Sequence, residues 1–291
     1  AATEQIITGD ADLSLNGGIT VSAGTLSSSG GTVSASSLSA GAAGILNFQG
    51  GTLSLPNGAT AVSGATFTTS NTTLKLGGTL DIADTWVSTN TSLSLTANAE
   101  LSSTAAAGLA TLETNGYDFK LGSDTTDLTL ANVFTLATGT LSTQGADLIF
   151  ASRADISSGA TLDATVLTGA GGKLEFQQGG TAAGTINASN AVFKIGSAYT
   201  VTGTLKTNSG TTWELGTANA PAYLDLSGGT LELGGDVTLD NILTNNQTSF
   251  KLGEDATVTR NQSFTLGGVD FTDYTFTLGT EDTDLTLDLS A

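Results

Sequence analysis

The chain has 291 residues, 27 acidic against 8 basic side chains for a formal charge of −19, and no Cys, His or Met. Without Cys and His there can be no disulfide, no thiolate or imidazole metal site, and no Ser-His or Cys-His nucleophile. The negative charge argues against nucleic acid and anionic lipid as partners, and no run approaches the ~20 apolar residues of a membrane span, so no membrane insertion is expected. A hydrophobic content of 38% is enough for a core, while 38 glycines and two prolines favour extended, tightly turned backbone over helix.

The opening segment, "AATEQIITGDADLSLNGG" (1–18), places Ile6 and Ile7 ahead of the first regular units. Its Ala-Ala start suits cleavage of an export leader, which predicts a secreted or cell-surface protein. No Asp, Glu, Lys or Arg occurs between Leu13 and Leu74, whereas thirteen acids follow residue 200. A short phrase with an alternating pattern then recurs as Leu46-Asn47-Phe48, Leu74-Lys75-Leu76, Leu93-Ser94-Leu95, Phe119-Lys120-Leu121 and Leu148-Ile149-Phe150, at uneven steps of 28, 19, 26 and 29. It becomes more regular from Leu174-Glu175-Phe176 through Phe193-Lys194-Ile195, Trp213-Glu214-Leu215 and Leu231-Glu232-Leu233 to Phe250-Lys251-Leu252, at steps of 19, 20, 18 and 19.

Period-two alternation is the mark of a half-buried strand, and the Gly or Gly-Gly that often follows marks a turn. Asn71, Asn90, Asn115, Asn190 and Asn246 each precede a phrase by three or four positions. Asn tolerates left-handed turns, and stacked Asn side chains can form ladders. The one stretch open to a helical reading is Ala97 to Leu112, "ANAELSSTAAAGLATL", expected as a short helix or a bulging loop.

A repeat of about 19 residues cannot bury an apolar face alone and needs a neighbour above and below. The expected fold is all-β: one parallel β-helix (β-solenoid) domain over 1–291, with about 12 to 14 coils stacked ~4.8 Å apart into a rod on the order of 60 Å. Longer steps are expected to be coils carrying loops. In this register Leu231 sits under Phe250, and Glu232 pairs with Lys251 outside; Glu175, Lys194 and Glu214 repeat the alternation. The consecutive acids Glu214 and Glu232 break it.

The "GGTL" phrases at Gly50 to Leu53, Gly77 to Leu80 and Gly228 to Leu231, with the near-periodic spacing after Leu174, resemble the right-handed parallel β-helix passengers of secreted bacterial surface proteins, the filamentous-haemagglutinin-like and autotransporter-like families. The resemblance implies work in adhesion or extracellular structure and identifies no receptor.

The expectation is accordingly not an enzyme but an extracellular structural protein, a self-assembling surface filament subunit or an adhesin stalk. Its partners would be itself, head to tail through strand edges, and cell-surface glycans. The segments 1–18 and 280–291 are the candidate capping or strand-donating ends, with Ile6, Ile7, Leu285, Leu287 and Leu289 as assembly residues.

The alternative is a carbohydrate-active β-helix, a lyase or glycosidase, for which Glu254 with Asp255, Asp270 with Asp273, and Asp225 with Glu232 or Asp236 offer carboxylate pairs. No cofactor is expected. Asp270, Asp273, Glu281, Asp282 and Asp284 are candidate oxygen donors for Ca²⁺, set against a plain solvated acidic face. An ice-binding solenoid is a further alternative, raised by Thr-x-Thr triplets such as Thr66-Phe67-Thr68 and Thr257-Val258-Thr259. N-x-[ST] sequences begin at Asn71, Asn90, Asn187, Asn246 and Asn261.

Overall fold

The computed structural model describes residues 5–84, 86–122, 126–165, 172–208, 210–215, 224–226, 228–238, 242–244, 248–259, 264–279 and 285–287. All regular structure among them is strand, and stacked parallel strands build a β-solenoid of about 12 turns. Two compact units are distinguished: unit 1 holds residues 1–134 and 139–148, and unit 2 holds 135–138 and 149–291.

Unit 1 is built largely from long strands that run around the coil. Ile19–Ser28, Leu38–Gln49, Thr73–Ile82 and Ser92–Ser103 each contain ten or twelve residues. In each the in-out alternation is interrupted partway along, where the strand rounds a corner, so two faces of the coil share one strand. Ile19–Ser28 reads buried at Ile19 and Val21, then at Gly24, Leu26 and Ser28. The register shift between Val21 and Ala23 marks that corner. At Gly78 (φ 69°) the chain takes a left-handed conformation that a residue with a Cβ rarely adopts. The sequence offset between stacked partners stays narrow, from 19 (Phe67 to Trp86) to 22 (Phe119 to Leu141).

Unit 2 uses strands of two to five residues, with the corners outside them. One column of strands runs Thr161–Asp163, Thr185–Asn187, Thr204–Asn208, Thr230–Gly234, Ser249–Leu252 and Gly268–Asp270. A second runs Lys173–Phe176, Val192–Ile195 and Thr212–Leu215. A third runs Ala154–Ile156, Gly180–Ala182, Tyr199–Val201, Leu224–Asp225 and Ile242–Leu243. Here the offset varies more, from 18 (Leu224 to Ile242) to 26 (Leu205 to Leu231).

In both units the inward residues stack on their equivalents, so the core is a set of columns. In unit 1, Phe48, Phe67 and Trp86 follow one another with ring centroids 6.3 and 5.7 Å apart. In unit 2, Phe176 lies 5.0 Å from Phe150, 5.8 Å from Phe193 and 4.3 Å from Tyr199. Each fully buried aromatic or Leu side chain contributes roughly 1.5–3 kcal/mol, which makes these columns the main stabilising element.

Two sequence expectations are corrected here. Ala97 to Leu112 is neither helix nor loop: Ser92–Ser103, Ala107–Leu109 and Thr111–Glu113 are strands, with Ala99, Leu101, Ala107, Leu109 and Leu112 buried in the core. Its alanines fit where coils approach closely, and tertiary stacking overrides their helical propensity. Nor are the long repeat steps up to Leu148 long coils, whereas the step from Leu148 to Leu174 is one, since Leu148–Phe150 and Lys173–Phe176 are neighbouring strands of one sheet. Leu46 stacks on Phe67 in the following coil, while Leu74 stacks on Leu53 around the corner. Likewise Leu93 stacks on Leu112 and Phe119 on Ala99. The recurring phrase therefore passes from one face of the coil to another.

Candidate functional site

The outer surface is organised by what each coil offers the next, and three devices recur. The first is a threonine whose hydroxyl donates to a carbonyl one coil earlier. Thr72 donates to Phe48 O (3.1 Å), Thr91 to Thr69 O (3.2 Å), Thr126 to Ser103 O (3.1 Å), Thr211 to Ala188 O (2.9 Å) and Thr248 to Leu226 O (2.9 Å). All but Thr211 are buried. In unit 1 the device extends inward: Trp86 Nε1 donates to Thr69 Oγ1 at 2.9 Å, and the Thr69 and Thr91 hydroxyls are hydrogen-bonded at 2.8 Å.

The second device is Asn at the corner. Asn71, Asn90, Asn115 and Asn190 all adopt φ of 49–59°, as their placement in the sequence predicts. Asn90 Nδ2 donates to Asn71 Oδ1 at 2.8 Å and Asn208 Nδ2 to Asn190 Oδ1 at 2.9 Å, forming the expected ladder. Asn246 lies outside the described residues. Thr72 and Thr91, the second residues of two N-x-[ST] sequences, are thus corner threonines, and the ladder engages the Asn side chains that precede them.

The third is a carboxylate that accepts a backbone N–H at or beside the start of a strand in the next coil. Asp12 receives Thr32 N (2.7 Å), Asp118 receives Thr140 N (2.8 Å), Asp155 receives Thr181 N (2.9 Å), Asp236 receives Thr257 N (2.7 Å) and Asp255 receives Thr275 N (2.7 Å). These charge-assisted bonds give many of the acids a structural role that no local motif announces.

Lysine and glutamate form ladders in unit 2. Glu232 Oε2 lies 3.3 Å from Lys206 Nζ and 3.6 Å from Lys251 Nζ. Glu175 contacts Lys173 at 3.1 Å and Lys194 at 3.7 Å, and Lys194 reaches Glu214 at 3.6 Å. The Glu232 to Lys251 pairing and the Glu175, Lys194, Glu214 alternation follow the sequence register. The apparent clash of Glu214 with Glu232 dissolves, because Glu214 stacks on Lys194 in one column of strands and Glu232 on Lys206 in another.

Burial pushes the Glu175 and Asp155 carboxyls up. For Glu175 the hydrogen bond and charge of Lys173, with Lys194 and Gln177, more than offset this; for Asp155 the offset comes from Arg153, 2.7 Å away, and Thr181. Both end below their ordinary values. The Tyr199 hydroxyl is buried without a partner, and desolvation raises its ionisation far above the usual tyrosine range.

Several of the carboxylates nominated for hydrolysis are engaged by this framework. Asp236 and Asp255 hold backbone amides, Glu232 is paired with two lysines, and Asp225 lies on a different column of strands from Glu232. Asp270 accepts from Thr272 N (3.2 Å) and Thr272 Oγ1 (2.8 Å), bonds that lower its ionisation; Asp273 sits in the same turn at φ 70°. Among the described residues no three His, Cys, Asp or Glu are gathered as a metal site. Glu254 is exposed beside Asp255, while Glu281, Asp282 and Asp284 lie outside the described residues.

Of the assembly residues, Ile6 and Ile7 are 53% and 68% exposed on a strand that pairs with Thr25–Ser27. Leu285 and Leu287 belong to a strand in parallel register with Phe264–Leu266; Leu289 lies outside the described residues. Between those two strands in the sequence, Phe271, Tyr274 and Leu278 are exposed at 54%, 40% and 40%; the repeat pattern singles out neither Phe271 nor Tyr274, while Leu278 closes the further phrase Phe276-Thr277-Leu278. Their signal was available: three large apolar side chains fall around Asp270 and Asp273, outside the regular part of the recurring phrase. Among the described residues no helix is long and apolar enough to cross a membrane. No family model matches the chain, and no curated protein or solved structure does either.

Proposed function

We propose that this chain is an extracellular structural protein, a filament subunit or adhesin stalk of the kind its resemblance to haemagglutinin-like and autotransporter-like passengers implies. The observation that carries this reading is where large apolar side chains are exposed. Of the eleven among the described residues, Ile6, Ile7, Leu15, Phe271, Tyr274 and Leu278 belong to the first or last described coils. Coil edges with uncovered apolar residues and unpaired backbone groups are templates for a further coil, supplied head to tail by another copy. The hydroxyl, amide and ion-pair ladders give the remaining surface a hydrated polar exterior suited to a secreted or cell-surface location, where glycans are the expected contact.

Electron microscopy of the purified chain, combined with a glycan depolymerisation assay, tests the proposal. Ordered fibres support it. Monodisperse particles that cleave a polysaccharide would replace it with the carbohydrate-active alternative.

A further inference from the structure

The strands Gln5–Ile7, Ile19–Ser28, Leu38–Gln49, Thr66–Ser70 and Trp86–Thr89 stack in register across five coils of unit 1 and share an outward face. The outward column from Ile7 to Val87 passes only Ser27, Asn47 and Thr68, and the column beside it holds Ile45 between threonines. Ile7, Ile45 and Val87 are 68%, 41% and 49% exposed. No charged side chain lies in these strands, in a chain of net charge −19. The acids at its corners are hydrogen-bonded to a neighbouring coil: Asp10 accepts from Ser29 Oγ at 3.0 Å, and Asp84 from Ser63 Oγ at 3.3 Å and from Gly64 N.

We propose that this face is a lateral contact for a second copy of the chain. Two copies carrying the same strong negative charge repel over most approaches, and an uncharged face is where they meet without like-charge opposition. Its Ile, Val and Thr side chains suit face-to-face sheet packing at about 10 Å separation. Five coils at ~4.8 Å and about five residues at ~3.3 Å give on the order of 400 Å² per copy. A standard stable complex buries about 800 Å² per partner, so the contact between two free copies is weak. Copies already joined end to end would present many such faces at high effective concentration, and filaments would bundle. That bundling rests on the end-to-end reading; the pairwise contact does not.

Sedimentation equilibrium decides the matter. For a dissociation constant near 1 mM, this lateral contact alone raises the weight-average mass about 1.5-fold at about 1 mM protein. The rise should be steeper in about 0.5 M salt than at low salt, because screening removes the repulsion while leaving the apolar contact. Combined with Phe271→Glu/Tyr274→Glu, which removes the end-to-end contact, the face substitutions Ile45→Glu/Val87→Glu, at exposed positions and checked for folding by circular dichroism, should leave the chain monomeric. A second variant, Phe271→Glu/Tyr274→Glu alone, separates the two readings: loss of fibres with the mass rise intact supports a lateral contact independent of the ends. A wild-type chain monomeric at about 1 mM in both salts would overturn the proposal, as would face substitutions that leave the association of the Phe271→Glu/Tyr274→Glu chain unchanged. So would a face that proves to bind a neutral polysaccharide and not its own copy.

Discussion

In unit 1 neighbouring coils are joined outside the core mainly by hydroxyls and amides, as where Asn90 bonds Asn71 and Thr91 bonds Thr69. In unit 2 the corresponding strand positions carry Lys206, Glu232 and Lys251, or Glu175, Lys194 and Glu214, alternating in sign. The difference tracks backbone regularity. Unit 1 has strands of up to twelve residues and offsets of 19 to 22, so long ladders, shifted in register only at a corner, pin the register by themselves. Unit 2 has strands of two to five residues and offsets from 18 to 26, so each short ladder specifies its register weakly. Alternating charge supplies the missing specification, since a slipped coil would bring like charges together. Each exposed pair is worth only about 0–1 kcal/mol, so its value lies in choosing between registers more than in holding the coils together.

That contrast should vanish in the core. Phe176→Ala in unit 2 and Phe67→Ala in unit 1 should each cost about 3–5 kcal/mol, because both remove a ring from a stacked aromatic column. Trp86 and Trp213, one in each unit, report separately once the other is replaced by Phe, and denaturant titration of the two single-Trp chains measures the effect. Costs differing severalfold between the units would break the idea that they share one packing principle.

Backbone geometry comes next. At Gly180 (φ 146°) an added Cβ would press on the Ala154 carbonyl, so Gly180→Ala should destabilise unit 2 by about 1–3 kcal/mol. An unchanged midpoint would show that the short strands yield more readily than proposed.

The corner threonines are common to both units. Thr91→Val and Thr248→Val keep the side-chain shape and delete a buried hydroxyl bond, for an expected loss of about 1–2 kcal/mol in either unit. Isothermal chemical denaturation of each variant would check that the costs match.

Acid should separate the units by the smallest margin. Glu175 and Asp155 titrate below their ordinary values of 4.5 and 3.8 in the folded chain. The stability they contribute is therefore complete above about pH 4.5 and lost as pH falls through the lower folded values. On lowering pH from 7 to about 3, the Trp213 reporter should lose more stability than the Trp86 reporter, and Glu175→Gln should narrow the gap. A gap unchanged in Glu175→Gln would remove that residue from the account.

The sequence carried the stacking rule because it is local in kind: a Leu or Phe every second residue, a turn residue after it, and a return after roughly one coil's length of chain. It also placed Asn71, Asn90, Asn115 and Asn190 at left-handed corners, since few other residues accept that conformation. It misplaced the columns. The phrase from Trp213 to Leu231 looked like one more coil, but Leu231 stacks on Leu205, and only the three-sided path of the chain shows it. Ala97 to Leu112 misled for a related reason, because small residues at a crowded corner resemble a helix in composition. The roles of Asp118, Asp155 and Asp255 were illegible, since each accepts from a backbone amide in the following coil and not from anything in its own phrase.

By itself, then, the sequence determined that this chain is all-β, repetitive, acidic and unable to do imidazole or thiolate chemistry. Composition and period alone decide those properties. Which residue lies on which was decided by tertiary structure, because coil length varies and a neighbour in the stack is set by the path around three faces. The same path gathered the uncharged strands of unit 1 into one face and threaded the charges of unit 2 into ladders, sorting into surfaces what the sequence presents only as a line.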